Sequence, residues 1–132
     1  MREIKGRVIS RGEAKGEVIL SQKNFSFLGD VDVKTGIVVA EDSDITGKSI
    51  SGKIFIFPYG RGSTVGSYSL LSMRKKNTAP AGIINIECDA VIAVGAIISS
   101  IPLVDRLEED PFEIFEEGDI VKIKDDTVHL ID

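Results

Sequence analysis

The sequence predicts an α+β domain with β/β/α layering. Apolar runs of strand length dominate, one segment has clear helical spacing, and neither a repeat nor a linker divides the chain. A chain of 132 residues suits one domain, able to bury roughly two thirds of its unfolded surface. One domain over residues 1–132 is therefore expected.

Arg2 to Ser10 alternates around Ile4 and Val8, and Glu17-Val18-Ile19-Leu20 follows the glycine-bearing stretch Arg11 to Gly16, so two strands joined by a turn are expected. Phe25, Phe27 and Leu28 precede a polar loop from Gly29 to Gly36, after which Ile37 to Ala40 reads as a short buried strand. Ile50 to Phe57 is apolar enough to be buried on both faces, and Pro58, which cannot donate to a ladder, ends it. Thr64 to Arg74 is the one main helix. Val65, Tyr68, Leu71 and Met73 fall near helical spacing, Ser63 or Thr64 can cap the start, and Arg74-Lys75-Lys76 favours the negative C-terminal end. The β-branched runs Gly82 to Ile86 and Ala90 to Val94 read as strands and Gly95 to Ser100 as a short helix. Glu108-Glu109-Asp110 reads as a solvated face, and Ile120–Ile123 with Val128–Ile131 as a hairpin about Lys124 to Thr127.

Composition narrows the function classes. Acids outnumber bases 21 to 16, giving a net charge of -5, with 42% hydrophobic and 28% charged residues. That is the balance of an ordinary globular protein, and it argues against nucleic acid, whose phosphates need clustered Lys and Arg. The longest apolar run, Ala90 to Ile98, is far short of the ~20 residues of a membrane span. The N-terminus carries charge where a signal peptide needs an apolar core. Cys88 is the single cysteine, so this chain alone supplies no disulfide, Cys-x-x-Cys knuckle or iron–sulfur site. A reducing cytoplasm is expected.

The richest chemistry lies in Pro58-Tyr59-Gly60-Arg61-Gly62-Ser63-Thr64, between a buried strand and a helix start. Alternate glycines let backbone N–H groups approach a ligand, and the helix N-terminus favours an anionic oxygen. The plain alternative is a glycine turn with Ser63 or Thr64 as N-cap, and the residues leave both readings open. Other signatures fit poorly: the turn lacks the P-loop lysine, and Gly60, Gly62 and Gly66 are spaced too widely for a dinucleotide fingerprint. A nucleophile elbow would need glycines where Arg61 and Val65 stand, and the single histidine, His129, sits in the predicted hairpin. Asp30-x-Asp32 before Gly36 misses the spacing of a calcium loop and reads as a solvated turn. Asp42 and Asp44 read as loop surface, Cys88 as a small apolar filler, and His129 as a half-buried strand residue. Tyr68, one turn beyond Thr64, could face the turn or the core.

Several segments in order, Phe27-Leu28-Gly29-Asp30-Val31-Asp32, Gly60-Arg61-Gly62-Ser63-Thr64, Thr78-Ala79-Pro80-Ala81 and Asp89 to Ile97, give the chain a resemblance to the swivel-domain subunit of the aconitase X family. That resemblance implies a β/β/α swivel domain closing over a large catalytic subunit that holds an iron–sulfur cluster, with no metal on this chain. It implies a hydro-lyase that dehydrates (R)-5-phosphomevalonate, a small phosphorylated hydroxy acid, to trans-anhydromevalonate 5-phosphate in a modified mevalonate route to isoprenoids. It further implies Ser63 as proton acceptor; Arg61 and the N–H groups of Gly62 and Thr64 are then the expected substrate-binding helpers. The competing expectation is a non-catalytic swivel module that binds an acidic or phosphorylated ligand or docks on another protein.

Overall fold

The computed structural model describes residues 2–131. Its elements are β1 (Arg2–Lys5), β2 (Arg7–Ser10), β3 (Glu13–Leu20), β4 (Ile54–Phe57), α1 (Val65–Lys75), β5 (Gly82–Asn85), α2 (Ala90–Ile98), β6 (Leu103–Asp105), α3 (Pro111–Ile114), β7 (Ile120–Lys124) and β8 (Thr127–Ile131). The eight strands run in the order β1-β8-β7-β3-β4-β5-β6-β2. β3 belongs to both halves of this sheet: Glu13 to Glu17 pair antiparallel with β7, and Val18 to Leu20 pair parallel with β4. β4, β5 and β6 continue the parallel half.

Two cores follow from strand alternation, because successive side chains leave opposite faces of a strand. Ile54 and Ile56 of β4 join Ile4, Val18, Ile84, Val104, Val121, Ile123 and Val128 between the two β layers. Phe55 and Phe57 point the other way, onto Phe25, Phe27, Leu70, Met73, Ile83 and Ile92 beneath the helices. This is the β/β/α layering the sequence predicts, and β4 is buried along its whole length.

Four local expectations need correction. Arg2 to Ser10 is broken at Gly6: β1 pairs with β8 and β2 with β6, at opposite edges of the sheet, so neither forms a hairpin with β3. A side chain at Gly6 would collide with the Asp105 carbonyl at 2.6 Å, which is why the crossing chain carries glycine there. Ile37 to Ala40 makes only isolated bridges, Val31 with Val38 and Ile37 with Ser49. Ala90 to Val94 is not a strand but the first half of α2, a second substantial helix, and the short α3 adds a third. The reason is topological: β5 and β6 are parallel neighbours, and a parallel pair needs a crossover, usually a helix. Asp89 caps that helix by accepting from the Ile92 N–H at 3.3 Å.

The main helix lies where expected, but of its expected apolar set only Met73 is buried. Gly66, Ser67, Leu70 and Met73 are buried, whereas Val65 and Tyr68 face solvent. Small residues on the inner face let α1 sit close to α2; the Ser67 hydroxyl donates to the Val91 carbonyl at 2.7 Å. Tyr68, at 68% exposure, is outside the core.

Among the described residues, no helix is long and apolar enough to cross a membrane.

Candidate functional site

Parallel strands present their C-terminal ends together, and in open α/β sheets that edge is where ligands bind. Here the segments leaving β3, β4 and β5 meet at that edge: Ser21 to Asp30, Pro58 to Thr64 and Ile86 to Asp89. Phe25 is their keystone. Its N–H donates to the Tyr59 carbonyl at 3.0 Å, its carbonyl accepts from the Arg61 N–H at 3.0 Å, and its ring packs edge-on against Phe27 and Phe55. The turn is therefore bolted to the aromatic core through main-chain bonds.

Both glycines of the turn are required by contact. A Cβ at Gly60 would sit 2.5 Å from Ile92 Cγ1 and closer still to the Asp89 carboxylate; one at Gly62 would sit 2.9 Å from Ser26 Oγ, and Gly62 has φ +99°. So the turn packs against the start of α2 on one side and the Ser26 loop on the other.

Ser63 is exposed at the N-terminal end of α1. Its Oγ accepts a hydrogen bond from the Val65 N–H at 3.1 Å. Thr64 is the N-cap residue, yet its side chain makes no capping bond. The side-chain bond to the helix start thus comes from Ser63, one residue before the N-cap position that Thr64 occupies. Of the expected helpers, the N–H groups of Gly62 and Thr64 have no acceptor among the described residues, while the N–H that does reach the serine oxygen, that of Val65, is one the sequence did not single out.

Arg61 stands one residue before Gly62 and is held from below. Its Nη2 donates to both oxygens of Asp30, at 2.7 and 2.9 Å, and Asp30 Oδ2 also accepts from the Ser26 N–H at 2.9 Å. Asp30 is buried, so the expectation of a solvated Asp30 turn is overturned; only Asp32 is of that kind, accepting from the Lys34 N–H. The signal for Asp30 was absent because its partner lies across a long loop. Asp44, read as surface without a role, ties that loop to β3 by accepting from the Ser21 hydroxyl at 2.6 Å and the Gln22 N–H at 2.8 Å. A recess of about 160 Å³ beside Arg61 is bounded by Lys23, Asn24, Asp30 and Asp42.

Cys88 and His129 make no hydrogen bond to the Ser63 turn. Cys88 packs at the rim of the core, and its thiol is pushed up to about 12, first by burial and then by the carboxylates of Asp105 and Asp89. His129 is half-buried in β8, its Nδ1 3.7 Å from Glu3. Among the described residues, no three or more His, Cys, Asp or Glu side chains gather where they could hold a metal ion.

Fold and turn together define a β/β/α domain that presents an open, glycine-rich turn with an exposed serine at the C-terminal edge of its parallel strands. The chain belongs to the aconitase X family: residues 3–130 match the aconitase X swivel domain. It is 56% identical over 121 residues to the phosphomevalonate dehydratase small subunit of Methanosarcina mazei, covering 92% of this chain and 84% of that protein. It is 46% identical to the protein of the same name from Methanocella arvoryzae, covering 98% of each. In structure it is similar to Thermococcus kodakaraensis aconitase X in its holo form, with a TM-score of 0.94 and 46% identity over the full length of both chains. A UPF0107 protein solved by solution NMR is similar too, with a TM-score of 0.89 and 44% identity over 99% of this chain and 100% of that one.

Proposed function

We propose that this chain is the small subunit of a phosphomevalonate dehydratase, a hydro-lyase that converts (R)-5-phosphomevalonate to trans-anhydromevalonate 5-phosphate, with Ser63 as the proton acceptor. The observation that carries the reading is near-complete coverage of relatives bearing that name, joined to an exposed serine at the very turn where the fold favours an anion.

In the reaction the C–H bond beside the substrate carboxylate breaks, the proton goes to Ser63 Oγ, the electron pair becomes the new C=C bond, and the hydroxyl leaves. A serine hydroxyl is too weak a base at neutral pH unless its alkoxide is stabilised. The Val65 N–H already aimed at Oγ and the start of α1 supply that stabilisation. Arg61 offers its guanidinium to a substrate oxygen, and the N–H groups of Gly62 and Thr64 are placed to do the same.

This chain's own residues do not fit an iron–sulfur cluster, because its one thiol is held protonated by burial and two nearby carboxylates. In this reading the cluster belongs to the larger subunit, where it supplies the Lewis acid for the leaving hydroxyl. An apolar surface supports such a partner: Val94, Ile97 and Ile98 of α2 are exposed, α2 carries no charged residue, and exposed Tyr68 stands on neighbouring α1. The unpaired cysteine suits the cytoplasm.

The test is Ser63→Ala in the complex reconstituted with the larger subunit. A fall in kcat of roughly 10²–10⁴-fold, with subunit association intact, is expected. Turnover within a few-fold of the unaltered complex would leave the turn as a non-catalytic anchor.

A further inference from the structure

We infer that Asp30 is a positioning residue: it fixes the Arg61 guanidinium by a single amino group so that the remaining donors, Nε and Nη1, are presented to an anionic oxygen of the substrate. This rests on Arg61 being a substrate ligand, as proposed above.

The argument is one of donor accounting. A guanidinium has five N–H donors in a rigid plane. Asp30 engages only Nη2, which it holds between its two carboxylate oxygens. Among the described residues, Nε and Nη1 of Arg61 make no hydrogen bond, and the Arg61 side chain is 49% exposed against 11% for that of Asp30. The donors left over are the Nε–H and the terminal amino group Nη1, and charge-assisted bonds from such donors to a carboxylate or phosphate oxygen are among the strong ones.

Asp30 is itself rigid. Its Oδ2 accepts from the Ser26 N–H, its own N–H donates to the Ser26 carbonyl at 3.3 Å, and its carbonyl accepts from the N–H groups of Val39 and Ala40 at 2.9 and 3.2 Å. The Arg61 main chain is fixed independently by Phe25. With both ends of the side chain held, little rotamer freedom remains for the substrate to quench, and that is where a positioning residue gains affinity.

The experiment measures kcat and KM for (R)-5-phosphomevalonate in the reconstituted complex carrying Asp30→Asn, Arg61→Ala, or both. Asp30→Asn keeps the size and an acceptor for Ser26 but removes the charge. KM should rise about tenfold in each single variant with kcat changed less than threefold, the pattern of lost uniform binding. The double variant should be no worse than Arg61→Ala alone, because Asp30 acts only through Arg61. If Asp30→Asn multiplies with Arg61→Ala, or lowers kcat instead of raising KM, Asp30 merely bolts the loop and the positioning role is wrong. If Arg61→Ala raises KM while Asp30→Asn does not, positioning fails and Arg61 keeps its role; if Arg61→Ala itself leaves KM unchanged, both fall. Mevalonate as a competitive inhibitor separates the two substrate anions. A weaker Ki in Asp30→Asn assigns the braced guanidinium to the carboxylate, and an unchanged Ki beside a raised KM assigns it to the phosphate.

Discussion

Two aspartates in this domain each hold an arginine, and they do it differently. Asp105, at the end of β6, faces Arg7 directly across the β2–β6 pair. Arg7 Nε and Nη2 reach Oδ1 and Oδ2 at 2.9 and 2.7 Å, and the Cys88 N–H adds a third bond at 2.7 Å. The Asp105 side chain is completely buried while that of Arg7 is 43% exposed. Asp30 and Arg61 instead join two loops, and only one amino group of the arginine is used. The sheet-bound pair is a closed fork that spends Nε and Nη2 together on the protein; the loop-bound pair spends Nη2 alone and leaves Nε and Nη1 without partners among the described residues. Burial of the acid is common to both, so it does not by itself mark a functional residue. What marks one is the donor left over.

This contrast can be broken in three ways. The largest expected effect is on stability: Asp105→Ala removes the acceptor of both Arg7 and the Cys88 N–H at a fully buried position and should cost about 3 kcal/mol in urea unfolding. Asp30→Asn, which retains an acceptor, should cost about 1 kcal/mol. Equal losses would erase the distinction. Next comes catalysis, where Arg61→Ala should raise KM about tenfold and Arg7→Ala should leave it within twofold in the assembled enzyme. A shared KM effect would mean that the Arg7 fork is felt at the site. The smallest effect sharpens the chemistry of the closed pair. The Cys88 thiol, pushed up to about 12, stays protonated at pH 8, so iodoacetamide should label the folded chain far more slowly than the urea-unfolded one. Because Asp105 is one of the charges raising that thiol, its removal in Asp105→Ala should speed the folded-state labelling; an unchanged rate would leave burial and Asp89 as the causes.

The layered fold was legible because β4 is apolar without interruption and β7 and β8 alternate cleanly about a tight turn. α2 was misread because periodicity is silent in a segment that is apolar all round, and its β-branched residues then favour a strand; only the parallel pairing of β5 with β6 makes a helix necessary. α1 was found mostly by spacing that belongs to its exposed side, since its inner face is built partly from Gly66 and Ser67, which carry no hydropathy signal. At the site, the glycines pointed to Ser63, and they did so for a physical reason, the close approach of Ser26, Asp89 and Ile92. The Asp30 brace was illegible. Nothing local separates a carboxylate that turns inward to meet Arg61 from one that caps a surface turn, as Asp32 does two residues later.

The pairing of β1 with β8 has a consequence for biosynthesis. The parallel layer with its Ser63 turn has all its strands once residue 105 has left the ribosome, because β2 pairs with β6. β1 must wait for residues 127–131, and β3 for β7. During that interval the nascent chain exposes strand edges and the inner apolar face that Ile4, Val121 and Val128 later close, a state open to mispairing with other chains. The Ser63 turn is thus in place before the layer that makes the domain safe to release.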